Sequence, residues 1–197
     1  MNLTDRAKKI ILQPKQEWQV IATETATTGQ LYMSYIIPLA AIGPVASIIG
    51  MSLFGITIPF LGTYRVPIGT AITHSILSYV FTLVGIFVLG LIINALAYSF
   101  SGEKNQMQAL KVAAYSCTAA WLGGIFSLIP AISILAIIPG IYSLYLLYLG
   151  LPVLMKSPQD KALAYTVVVL IAAIVIFVVI GAVSSAFVSY PVPGVQL

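Results

Sequence analysis

The 14 charged residues of this 197-residue chain leave four stretches, 25–64, 66–102, 112–155 and 162–197, with no charge at all. They are 40, 37, 44 and 36 residues long and together hold 157 residues. About 20 apolar residues cross the hydrocarbon core of a bilayer, so each stretch is long enough to span it. Charged residues make up 7% of the chain, against about 25% in a soluble domain. A soluble globular enzyme, a disordered chain and a secreted disulfide scaffold are all excluded by that pattern. The expected fold is an all-α, polytopic transmembrane helical bundle.

Run lengths set the number of spans. The first apolar stretch, 31–60, is interrupted by Pro38, Gly43, Pro44 and Gly50 and counts as one span. The second, 68–98, would be roughly 46 Å long as a helix, one tilted or protruding span. The third run is about twice the hydrocarbon thickness as a single helix. Pro130 near its middle divides it into a hairpin with spans 112–129 and 131–155. The fourth gives span 162–188, and the turn formers of YPVPGVQL leave 189–197 as a tail. Residues 1–30 form a separate segment ahead of these five spans.

Five spans put the termini on opposite sides. Arg6, Lys8, Lys9, Lys15, Lys104, Lys111, Lys156 and Lys161 then share one side and Arg65 alone takes the other. The positive-inside bias predicts a cytoplasmic N-terminus and an external C-terminus. The net charge of +4 and pI near 9.2 come from residues flanking the apolar runs, which indicates topology and no nucleic-acid partner. No cleaved signal peptide is expected from the charged N-terminal stretch. Cys117 has no cysteine to pair with and sits in an apolar run, which argues against a metal site or a reactive thiol.

Leu3, Ala7, Ile10 and Ile11 predict one face of a short amphipathic helix, with Arg6, Lys8 and Lys9 at other positions. Gln13 precedes Pro14, so a second short helix follows, with Trp18, Ile21 and Ala22 on one face. The pair reads as an interfacial element on the cytoplasmic leaflet or docked under the bundle, able to meet a partner, or as a segment that only sets orientation.

Few residues suggest chemistry. Thr70, His74, Ser78 and Thr82 recur at i+4 and share a face of span two, a lining for a polar pathway or a set of interhelical hydrogen bonds. Asn94 is a single amide of the kind that joins helices. Gly43-x3-Ser47, Ala46-x3-Gly50, Ala120-x3-Gly124, Gly181-x3-Ser185 and Ala182-x3-Ala186 allow close helix packing or self-association. Tyr142, Tyr145 and Tyr148 fit boundary anchors, core packing or a stacked-ring site. Carboxylates are absent from every span. With no His and carboxylate cluster, glycine-rich phosphate loop or serine elbow, no enzyme activity, cofactor or metal is expected.

Three segments carry a resemblance: P-K-Q-E-W-Q-V-I with Pro14, Trp18 and Ile21; A-L-K-V-A-A-Y-S-C-T-A-A-W-L-G-G-I around Tyr115 and Trp121; and I-Y-S-L-Y-L-L-Y-L-G-L-P, with Gly150 and Pro152, running into L-M-K-S-P-Q-D-K-A. In combination with the span count they resemble the Yip domain family, five-span proteins named for interacting with Ypt and Rab GTPases, in its short bacterial branch. The family pattern has a proline where this chain has Ala119, so no proline kink in span three is carried over. The resemblance implies a five-helix membrane protein with a cytoplasmic N-terminus, in a bacterial inner membrane. The chain lacks the acidic D-L-Y-G-P stretch of its longer eukaryotic relatives, and small-GTPase binding is not carried over. The expected role is non-enzymatic, a membrane-organising or adaptor protein that associates with itself or with other membrane proteins. The competing class is a channel or transporter for a small solute or ion, suggested by the polar stripe and by Pro38, Pro44 and Pro139.

Overall fold

The computed structural model describes residues 2–58 and 62–187. Two short helices open the chain, α1 (Leu3–Leu12) and α2 (Pro14–Thr23). Gln13 separates them with φ −137° and ψ 52°, because the residue before a proline is pushed out of the helical region. Pro14 then occupies the first turn of α2, where its missing N–H costs nothing.

Five longer helical segments follow, each long and apolar enough to cross a membrane: Thr28–Phe54, Ile68–Phe100, Gln106–Leu128, Pro130–Met155 and Gln159–Ser184. They are called spans one to five below, and the chain is a multi-pass integral membrane protein. Span three is central, with 61% of its apolar window buried against 11–33% for the other four. Spans one, two and four pack on it, and span five closes the bundle against two and four. The outer faces carry an apolar belt, for example Ile76, Val84, Ile171 and Val175. Such a belt is the surface a bilayer covers.

Local chemistry explains the irregular helices. Span one begins with a capping box, in which Thr27 Oγ1 accepts from the Gln30 N–H at 3.2 Å and Gln30 Oε1 from the Thr27 N–H at 3.0 Å. Pro38 has no N–H to donate, and the turn before it widens so that the Ile37 N–H reaches Tyr32. The helix ends at Phe54, short of the expected residue 60, because Gly55 turns to φ +79°, a conformation open to glycine. A small antiparallel ribbon, β1 (Ile56–Ile58) with β2 (Gly62–Tyr64), leads to span two, with Ile56 opposite Tyr64. The expected tail, 189–197, lies outside the described residues.

Span three is broken at Cys117 between helices Gln106–Ser116 and Thr118–Gly123, although Ala119 stands where the family proline would be. The Thr118 hydroxyl donates to the Tyr115 carbonyl at 2.7 Å, and the Ala120 N–H leaves its helix to donate to Ser143 of span four at 2.9 Å. A side chain inserted into the backbone ladder bends a helix without proline. At the end nearest the chain's start, the connections between spans two and three and between four and five meet. Lys156 pairs with Glu103 at 2.7 Å, and the Glu103 N–H donates to Met155 at 2.7 Å.

Candidate functional site: the docked N-terminal helix pair

Of the placements open to the N-terminal helices, the structure selects docking on the bundle. Ala7 and Ile10 of α1 and Trp18 and Ile21 of α2 are buried, while Lys8, Lys9 and Lys15 face outward. Trp18 has no exposed surface, and its ring lies over Gly150 of span four. A Cβ at position 150 would come within 2.7 Å of Trp18 Cζ2 and 2.9 Å of Cε2 and Cη2. The edge of Trp18 meets Tyr115 at 6.3 Å between centroids, and Tyr115 packs on Tyr35 at 4.5 Å. Tyr35 donates in turn to the Thr118 hydroxyl at 2.7 Å. Three of the family-motif positions, Trp18, Tyr115 and Gly150, are thus brought into one contact.

Beside that aromatic cluster lies a set of charges, three of them buried and the fourth, Glu24, reaching the surface with 40% of its side chain exposed. Arg6 and Glu17 are each 5% exposed. The Arg6 guanidinium donates to Glu17 at 2.5 Å and to the Glu24 carboxylate, and stands 5.7 Å from the Tyr115 ring centre. Lys111, 2% exposed, donates to the carbonyls of Ile21, at 2.9 Å, and Glu24. Gln108 donates to the carbonyl of Ala22 at 2.9 Å. These carbonyls end α2, where a helix leaves acceptors without internal partners and its dipole favours a cation. Tyr142 of span four serves α1 likewise, donating to the Ile11 carbonyl at 2.6 Å.

Two cations and two carboxylates close this set at zero formal charge. Buried charge persists only when paired and hydrogen-bonded, so the helix pair is fastened to the bundle by groups that need one another. Arg6 was expected away from the buried face of α1. It lies on that face, three residues after Leu3 and four before Ile10, because Glu17 and Glu24 receive its charge. Sequence reasoning also passed over Glu17, Glu24 and Lys111 as loop or segment charges. The available signal was Glu17 beside Trp18 and four residues before Ile21, which sets a carboxylate on the buried face of α2.

The other candidates lie apart from this cluster. Thr70, His74, Ser78 and Thr82 run half-buried along span two, and the Thr82 hydroxyl donates to its own helix, at Ser78, at 2.8 Å. Two hydrogen bonds join spans one and two through tyrosines, Tyr32 to Leu83 at 2.8 Å and Tyr79 to Ile37 at 2.9 Å. Asn94 and Trp121 are half-buried, and Pro152 sits within the helix of span four. Gly43 and Gly124 face each other where spans one and three cross; a Cβ on Gly124 would lie 2.7 Å from Gly43 Cα. One on Gly50 would lie 2.1 Å from the Ser127 carbonyl oxygen. Ser47 is half-buried one turn from Gly43. Gly181 opens on free space, and the side chain of Ser185 lies outside the described residues. No group of three His, Cys, Asp or Glu positioned for a metal occurs among the described residues.

The chain is similar to two curated relatives, each named Inner membrane protein YohC, from Escherichia coli strain K12 and from E. coli O6:H1 strain CFT073. Each is 26% identical over 156 residues, covering 78% of this chain and 80% of the relative. No solved structure matches. The family model described as the Yip1 domain matches residues 8–180, from α1 to the last turns of span five. That match runs from the middle of α1 through α2 and the first four spans to within four residues of the end of span five, and the chain belongs to the Yip1 domain family.

Proposed function

We propose that the chain is a non-enzymatic organising or adaptor protein of a bacterial inner membrane, with the N-terminal helix pair on the cytoplasmic side. The observation that carries the reading is the set of buried Arg6, Glu17 and Lys111 with half-buried Glu24. It holds two amphipathic helices rigidly on the bundle while their outer faces stay exposed. A surface held in one conformation loses little entropy when a partner binds. Both carboxylates are engaged by Arg6, which fits a set that fastens the helices. The name of the E. coli relatives supports the membrane, and eight basic residues against one support the orientation.

Quantitative crosslinking in native membranes, with a photoreactive residue at Lys15 or Gln19 on the outer face of α2, tests the role. A specific partner or self-contact is expected. Recovery of none, with protein that is folded and inserted, would sink the proposal. The Thr82 hydroxyl of the span-two stripe bonds within its own helix, to the Ser78 carbonyl, as a packing residue does. Purified protein in liposomes is expected to leave a panel of small solutes trapped, and His74→Ala to change nothing.

A further inference from the structure

An open groove of about 540 Å³ runs between α1 and the flanks of spans one and three. Ala7, Ile11 and Leu12 form one wall and Pro38, Ile42 and Leu122 the other, with Lys8 at the edge. That volume is in the range of small-molecule sites, but the lining carries almost no polar groups with which to orient a polar ligand. An elongated apolar one fits it better.

The surroundings say which. Three residues beyond Ile42 on span one, Val45 is 54% exposed; three beyond Leu122 on span three, Ile125 is 48% exposed. The groove therefore opens directly onto the apolar belt that acyl chains cover. At its other side the outer face of the helix pair presents Lys8, Lys9 and Lys15 against one carboxylate, Asp5. A smaller hollow lined by Asp5, Lys8, Lys9, Leu12 and Gln13 shares Lys8 and Leu12 with the groove. Leu12, between the two, is exposed. An apolar slot entered from the belt and edged by net positive charge has the polarity profile of one lipid class.

We propose that the groove binds an acyl chain of an anionic glycerophospholipid, with its phosphate at Lys8. The occupant is lipid because the slot is continuous with the lipid-covered belt. It is anionic because three lysines against one aspartate favour a headgroup with net negative charge over a zwitterionic one.

Native mass spectrometry of the purified full-length protein, given phosphatidylglycerol or phosphatidylcholine, provides the test. Phosphatidylglycerol should be retained preferentially. Lys8→Gln, a change on an exposed face, should lower its retention about fivefold, the effect of one lysine near a charged lipid surface, and leave phosphatidylcholine unaffected. Ile42→Trp, which fills the slot, should remove both. Equal retention of the two lipids, or retention of phosphatidylglycerol unchanged by Lys8→Gln, overturns the proposal whether or not Ile42→Trp folds. A benzophenone side chain at Leu12 should yield in membranes an adduct of phospholipid mass. An adduct only to a second copy or to another protein would assign the groove to that occupant and refute the lipid.

Discussion

Replacing Gly150 by alanine should loosen the N-terminal helix pair, and Gly140 in the same span provides the control. A Cβ at position 150 meets three atoms of the Trp18 ring at 2.7–2.9 Å, whereas one at position 140 meets nothing within 4 Å. Both changes bring the same gain in backbone stiffness, about 0.4–1 kcal/mol, so their difference isolates the clash. Overpacking of this kind costs about 1–3 kcal/mol. Trp18 cannot yield by a small rotation, because Tyr115 closes its edge and no part of the ring is exposed. The ceiling is the ring leaving altogether, about 5 kcal/mol for roughly 200 Å² at 25 cal/mol per Å². The assay is thermal unfolding in detergent together with tryptophan emission. The chain has two tryptophans, so Trp121→Phe leaves Trp18 as sole reporter. Gly150→Ala should lower stability by about 1–3 kcal/mol relative to Gly140→Ala and shift emission toward that of a wetter ring. In a Trp18→Leu background the same substitution should be harmless. Equal behaviour of the two alanine variants, to within about 0.5 kcal/mol, would refute the packing argument.

Further outcomes follow from the same cluster and from the span pattern. Arg6→Met leaves Glu17 buried without its cation and should cost about 3–5 kcal/mol, read as lowered thermal stability and faster tryptic cleavage at Lys8, Lys9 and Lys15. Lys111→Met should release the end of α2 in the same proteolysis assay, because Ile21 and Glu24 lose their donor. Tyr142→Phe removes the donor to Ile11 and should cost about 1 kcal/mol, with proteolysis moved toward the α1–α2 junction. With Cys117 changed to Ser, single cysteines at Gln108 and Gln159 should react only from the cytoplasm, and those at Thr63 and Gly194 only from outside. Labelling of Gln159 and Gly194 from the same side would mean that span five does not cross.

Lengths and charges along the chain were enough to establish a five-span helical membrane protein, and they predict one side for eight of its nine basic residues. The reason is that the bilayer acts on sequence alone: each crossing needs a charge-free run of a set length, whatever its neighbours do. The break at Pro14 was equally local. What packing decides was not legible. The small-residue pairs gave no indication of their partners, and only the assembled bundle showed that Gly43 meets Gly124 while Gly150 receives Trp18. Span three bends without proline because Thr118 and Ser143 supply hydrogen bonds from the sides, a matter of neighbours and not of propensity. The docking of the N-terminal helices was hidden for a stronger reason. Arg6, Glu17, Glu24 and Lys111 are separated by up to 105 positions in the chain, and each alone is an ordinary solvated charge. Only the tertiary fold brings them within hydrogen-bond reach, and only in company can Arg6, Glu17 and Lys111 be buried.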